Sequence, residues 1–315
     1  MNPMACALNS FSFTPLGRSD RIGVNGDPSF QSIAASADGL RLAAVVSVGY
    51  IYTSVDGGAT WIQRTSAGSR NWVSVASSAD GLRLVATANA GYIYTSTDGG
   101  ATWVERINAG SRGWFGVASS ADGLRLVAGV GVGYIYTSVD GGATWIQRIS
   151  AGSRIWTSVA SSADGLRLAA ADYGGYIYTS TDGGATWVVR TGTGSRKWTL
   201  SGVASSADGL RLAIADFEGY IYTSIDGGAT WVERTGAGSR EWRSIASSAD
   251  GLRLAAVADG GGHIYTSRDG GAVWVVRAVS GFQVDDTFPW IAISSSANGF
   301  RLVAAEAFGK IFRFY

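Results

Sequence analysis

The sequence predicts an all-β protein assembled from a repeated four-stranded unit, and three observations carry that expectation. The segment S-x-D-G-G-A-T-W recurs from Ser54, Ser96, Ser138, Ser180 and Ser224, with a sixth copy at Ser267 in which Val273 replaces the threonine. A second segment, S-A-D-G-L-R-L, starts at Ser36, Ser78, Ser120, Ser162, Ser206 and Ser248, and a degenerate seventh copy runs from Ser296 to Leu302. The 45 glycines, with 12 Trp, 13 Tyr and 11 Phe, suit short strands and tight turns rather than helices, whose interiors glycine weakens.

Each element follows from one repeat, Trp72 to Arg106. WVSVASS alternates as a strand, the turn ADGL leads into RLVATA, GYIYTS forms the third strand, and the turn TDGG leads into ATWVERI. Alternation such as Tyr92 and Tyr94 against Ile93 and Thr95 is the period of two expected of a sheet with two unlike faces. Asp-Gly at both turns is a hairpin signal, because glycine accepts positive φ and the short carboxylate bonds nearby backbone N–H groups. Such a meander cannot bury its apolar face alone, so the units must pack on one another, and a ring leaves none unpaired.

The ends of the pattern suggest how the ring closes. After the seventh turn only one further strand remains, Lys310 to Phe314, while Ser10 to Thr14 near the N-terminus reads as a strand with no partner. The expectation is a seven-bladed β-propeller of four-stranded antiparallel blades, one domain over residues 1–315. Its ring would close when the N-terminal strand, about residues 10–14, joins the last blade at about 290–315.

Composition excludes several function classes. A net charge of +1, from 25 Lys plus Arg against 24 Asp plus Glu, provides no general pull toward nucleic acid. One cysteine, Cys6, and one histidine, His263, leave no disulfide framework and no Cys/His zinc site, and neither metal nor cofactor is expected. The chain shows no apolar run long enough to span a membrane and no basic leader, so the expectation is a cytoplasmic monomer.

The S-x-D-x-G-x-T-W frame resembles the Asp-box, the bacterial neuraminidase repeat, across nearly the whole chain. Among proteins with that box, the phrasing W-x-S-V-A-S-S-A-D-G is most similar to the photosystem II stability and assembly factor family and related repeat proteins. That resemblance implies a propeller used as a scaffold for a polypeptide. Sialidases share the box but require an arginine triad and a tyrosine–acid pair from divergent blades, whereas here arginines and tyrosines repeat nearly unchanged.

The box aspartates and tryptophans are expected to be structural, the former closing turns and the latter filling the core. Candidate binding residues lie in the loops at the opposite face. Arg70, Arg112, Arg154, Arg196 and Arg240 of the Arg-x-Trp tripeptides could grip an acidic ligand, or could instead hold neighbouring strands. Positions where the repeat breaks are free to serve a ligand: Asp172, Tyr173, Asp216, Phe217, Glu218, Asp259, Glu306 and Phe308. The irregular loops Gly17 to Ser29 and Ala278 to Pro289 add Asp285 and Asp286. The primary reading is a non-catalytic scaffold for a polypeptide or a small charged ligand. The alternative is a glycan-binding propeller, since aromatics and carboxylates together suit a sugar or a cationic peptide. An enzyme of glycosidase or lyase type would draw its acids from Asp172, Asp216, Asp259, Asp285, Asp286 and Glu306, and no catalytic residue is assigned.

Overall fold

Asp-Gly turns fold each repeat into an antiparallel meander in the computed structural model, which describes residues 28–259, 263–277, 289–307 and 309–314. In the first unit the strands are Phe30–Ala35, Leu42–Val46, Ile51–Ser54 and Ile62–Arg64, paired in sequence order. The inner strands of the later units are Trp72–Ser77, Trp114–Ser119, Trp156–Ser161, Trp198–Ser205, Trp242–Ser247 and Trp290–Ser295. They converge on one axial channel, which all of them line.

Two hydrogen-bonded devices recur, an inner turn in all seven units and an outer turn in the first six. In the outer turn, the Ser96 and Thr102 hydroxyls donate to the Asp98 carboxylate at 2.8 and 2.6 Å, and Thr102 N–H donates to it at 2.9 Å. Gly99 and Gly100 adopt φ of 69° and 87°, the left-handed conformation this turn requires. Partial desolvation pushes the Asp98 carboxyl up, but the Thr102 and Ser96 bonds outweigh it and hold it at about 2. In the inner turn, Ser78 Oγ donates to Asp80 while accepting from Arg83 N–H at 3.0 Å.

Between units the core is aromatic and aliphatic. The indoles of Trp72, Trp114, Trp156, Trp198 and Trp242 are fully buried, and each meets a tyrosine of its own unit edge to face, as Trp72 meets Tyr94 at 5.0 Å. Serines facing the channel tie one inner strand to the next: Val75 N–H donates to Ser32 Oγ at 3.3 Å and Val117 N–H to Ser74 Oγ at 3.3 Å. The alanine N–H of each inner turn donates to the alanine carbonyl of the next, through Ala37, Ala79, Ala121, Ala163, Ala207, Ala249 and Ala297. Ala297 donates in turn to Ala37, and every bond of the series is 2.7 or 2.8 Å.

The all-β propeller is present, but seven separate four-stranded blades closed by an N-terminal strand are not. Five sheets are built of complete four-stranded meanders: four are single meanders, and the fifth is an eight-stranded sheet that fuses two. The fusion has a local cause. The inner strand Trp198–Ser205 is eight residues long where its counterparts have six, and its extra residues form a parallel bridge from Ser201 to Ser244. The remaining sheet, at Trp290–Ser295, Leu302–Glu306 and Ile311–Phe314, has three strands. The expected fourth, residues 10–14, lies outside the described residues. Among the described residues no strand pairing joins the first sheet to the last. Their contact includes packing of Phe30 and Val46 with Ala305 and Ile311, the turn bond from Ala297 to Ala37, and a bond from Arg301 Nη1 to Asp38 O at 3.1 Å.

Candidate functional site

One position of the inner strand varies more than its neighbours. The residue after the inner-strand aromatic is Gln31, Val73, Phe115, Thr157, Thr199, Arg243 and Ile291 in successive units, following Phe30 or a tryptophan in each case. All of these side chains line a single cavity of about 310 Å³ at one mouth of the channel. Ile155, Tyr173 and Phe217 from the surrounding loops complete its apolar wall. Loop placement follows from backbone bonds, since Tyr173 N–H donates to Ile155 O and Phe217 N–H to Lys197 O, each at 2.8 Å.

The floor comes from the inserted residues. Leu200 and Ser201 line both this cavity and a smaller one of about 130 Å³ deeper in the channel. Gly202 stands where other units carry a serine or alanine, or Gly116, and a Cβ there would meet Thr199 Cγ2 at 2.4 Å, so the bulge is accessible only to glycine. Thr199 Oγ1 anchors the bulge by donating to Arg243 O at 3.0 Å. Leu200 thereby keeps 48 % of its surface exposed, on the channel axis.

Polar groups in the lining are mostly engaged already. Gln31 donates to Ser29 Oγ at 3.2 Å, Thr157 Oγ1 to Ala171 O at 3.4 Å, and Ser74 Oγ accepts from Val117 N–H. The guanidinium of Arg243 lies 4.9 Å from the centroid of Phe217 and pairs through Nη2 with Asp259, which neutralises its charge.

The Arg-x-Trp arginines ring this mouth but lie across tyrosines. Arg70, Arg112, Arg154, Arg196 and Arg240 sit 4.6 to 4.9 Å from the centroids of Tyr94, Tyr136, Tyr178, Tyr222 and Tyr265. Each also donates from Nε to a carbonyl three residues earlier, such as Arg112 to Ala109 O at 3.1 Å. Burial, reinforced by the hydrogen bond to Glu105, pushes the Tyr94 hydroxyl well above its ordinary value, so that ring stays neutral beneath its cation.

Of the acids singled out in the sequence, Asp172, Asp216 and Glu306 end second strands opposite Trp156, Trp198 and Trp290 and are buried. Asp172 pairs with Arg154 at 3.5 Å, Asp216 with Arg196 at 3.4 Å, and Glu306 with Lys310 at 3.2 Å. Burial raises the carboxyls of Asp172 and Asp216, with the arginines opposing it. Glu218 forms an exposed pair with Lys197 at 2.7 Å. Tyr173 and Phe217 are therefore the singled-out residues that line the cavity, Asp259 pairs with its lining residue Arg243, and Asp285, Asp286 and Phe308 lie outside the described residues. The variable position after the tryptophan and the Leu200–Ser201 insertion were not singled out, although both stand in the sequence: the first as the one unmatched letter in W-x-S-V-A, the second as W-T-L-S-G-V beside W-T-S-V.

No family model and no curated protein sequence matches the chain. Among solved structures, YCF48 bound to D1 peptide is 19 % identical with a TM-score of 0.70, covering 93 % of this chain and 94 % of its own. A streptogramin B lyase is 14 % identical with a TM-score of 0.76, covering 97 % of both chains. The GH74 enzyme of Niastella koreensis is 17 % identical with a TM-score of 0.72, covering 93 % of this chain and 53 % of its own. At 14 to 19 % identity these likenesses establish the β-propeller fold alone.

Proposed function

We propose that the chain is a binding scaffold that captures a polypeptide segment at the channel mouth. The observation that carries this reading is the variable position after the inner-strand aromatic, which takes six different residue types in seven units and is gathered into one apolar cavity. Packing fixes nearly every other inner-strand position, so variation concentrated at a cavity wall is what a ligand site requires. The same fold serves a lyase and a glycoside hydrolase as well as YCF48, which is seen with a peptide, so the fold alone selects none of these roles. What favours a polypeptide is the apolar wall of Val73, Phe115, Ile155, Leu200, Phe217 and Ile291, in which the Thr157 and Thr199 hydroxyls already donate to backbone carbonyls.

Panning a random dodecapeptide display library on the intact protein tests this reading, with affinities of selected peptides measured by fluorescence anisotropy. The expected result is micromolar binders that weaken ~10-fold or more against a Phe115→Ser/Phe217→Ser variant of unchanged circular dichroism. Failure to select any peptide above background, or binders indifferent to that variant, overturns it. So does a glycan microarray showing saccharide binding abolished by the same two substitutions.

A further inference from the structure

We propose that the mouth cavity is a receptor for a single neutral aromatic side chain, and that Leu200 sets its depth. This rests on the polypeptide-binding reading and names what part of the polypeptide enters.

Size comes first. A cavity of about 310 Å³ is at the small end for ligand sites, which run from roughly 300 to 1,000 Å³. It accommodates one bulky group rather than an extended chain. The walls supply aromatic surface from three directions, Phe115 on an inner strand and Tyr173 and Phe217 on loops of successive units. Such rings reward another ring beyond the area buried, through edge-to-face and offset contacts that an aliphatic group cannot make.

Charge comes second. Among the described residues, Arg243 is the one charged side chain in the lining, and its pairing with Asp259 offsets the attraction it would hold for a carboxylate. An acidic side chain would therefore leave water for a site offering little in return, whereas a neutral ring loses nothing on entry. The stacking of Arg243 on Phe217 also fixes that ring as a preformed wall.

Depth comes third. In the other units the pairing of the inner strand slips at the variable residue and resumes without the two extra residues. The two inserted residues, held by the Thr199 bond and the Ser201–Ser244 bridge, place Leu200 in the wall shared by the two cavities, where Ser201 and Ser74 are the other shared residues and Leu200 the one large apolar side chain. Removing its side chain joins them and lengthens the site.

Ligand-observed NMR titration with N-acetyl-L-phenylalaninamide, N-acetyl-L-tryptophanamide, N-acetyl-L-leucinamide and methyl β-D-glucopyranoside tests the assignment. The phenylalanine amide is expected to bind at ~1 mM, as its small size allows, and ~5-fold or more tighter than the leucine amide. Leu200→Ala, at a half-exposed position the fold does not need, shifts preference toward the tryptophan amide by ~5-fold or more, and Phe217→Ala weakens both aromatic amides ~10-fold. Phe300→Ala, on an inner turn at the far end of the channel, leaves all affinities unchanged. Equal or better binding of the leucine amide or the glucoside overturns the proposal, as does a Leu200→Ala variant with unaltered preference. If peptides are selected but the amides are not discriminated, the aromatic assignment falls and the binding role stands. If the amides behave as expected and no peptide is selected, the polypeptide reading falls instead.

Discussion

The sixth outer turn offers a test of how much its hydrogen bonds stabilise the fold, because it lacks one of them. In five turns a threonine hydroxyl donates to the aspartate at 2.6 Å. In the sixth, Val273 retains the backbone bond to Asp269 at 2.9 Å but has no hydroxyl. Val273→Thr is nearly isosteric, keeps the β-branch, and replaces a methyl group of a residue that is 62 % exposed with the missing donor. A hydrogen bond to a charged acceptor contributes about 1.5–3 kcal/mol where water is excluded; at this exposed turn the expectation falls to ~0.5–1 kcal/mol. For a chain of this length that corresponds to a rise of ~1–2 °C in Tm. Urea unfolding and calorimetry at neutral pH measure it, and Thr144→Val provides the reverse change with the opposite sign. The Val273 N–H bond leads the interactions that hold the Asp269 carboxyl below its ordinary value. A carboxyl depressed in the folded state contributes stability that is fully present above the unfolded value of about 4 and is lost as pH falls through the lower folded value, so the gain from Val273→Thr should persist at pH ~4 and be lost only as pH falls through the depressed folded value beneath it. If Val273→Thr is neutral or destabilising while Thr144→Val is also neutral, the turn is held by backbone geometry alone and the reasoning fails.

Other perturbations follow from the same structure. Twelve turn aspartates, among them Asp56, Asp98, Asp182 and Asp226 at about 2, are held below their ordinary range. Unfolding free energy by urea should accordingly be flat down to pH ~5 and fall steeply between pH ~4 and ~2, and a flat profile through that window would contradict the assignment. Gly123 and Gly174 both adopt positive φ, at 72° and 71°, but a Cβ on Gly123 would meet Arg83 Cβ at 2.6 Å while one on Gly174 meets nothing within 4 Å. Gly174→Ala should cost ~1 kcal/mol and Gly123→Ala ~2–4 kcal/mol by urea unfolding; equal losses would show that backbone strain, not crowding by the preceding unit, sets the penalty. Arg112→Lys should cost ~1 kcal/mol of stability by the same measurement, losing the stack over Tyr136 and the Nε bond to Ala109. Unchanged stability with a loss of peptide affinity would make that arginine a ligand contact instead.

The meanders were legible because their determinants are local. Asp-Gly turns, alternating residues and the recurring tryptophans each act within a few positions, and every repeat restates them. The separation of sheets was not legible, because it depends on Ser201 reaching Ser244 in another unit, which a two-residue change in spacing does not reveal. The acids Asp172, Asp216 and Glu306 break the repeat and so invited a functional reading. Their strands carry them under the tryptophans, where each is matched by an arginine or lysine. Phe217 and Tyr173 were found by the same reasoning because their backbone places them one position further, beyond the strand end. The residue after the tryptophan escaped notice because variation within a strand reads as ordinary packing, and only convergence of all inner strands on one axis makes it a shared surface.

The series of alanine bonds between inner turns has a consequence for assembly. Every junction uses the same donor, the same acceptor and nearly the same length, so the junctions carry no information about which unit belongs beside which. The second and fourth units, exchanged in order, would find equivalent turns, the equivalent serines Ser74 and Ser158, and equivalent tryptophan–tyrosine pairs, whereas the fifth and sixth are matched to each other by the Ser201–Ser244 bridge and the Thr199–Arg243 bond. What an exchange of the former two would alter is the mouth, where one contributes Val73 and the other Thr157. The order of such units is thus enforced by chain connectivity, and a molecule with them misordered would keep its fold and change its ligand site.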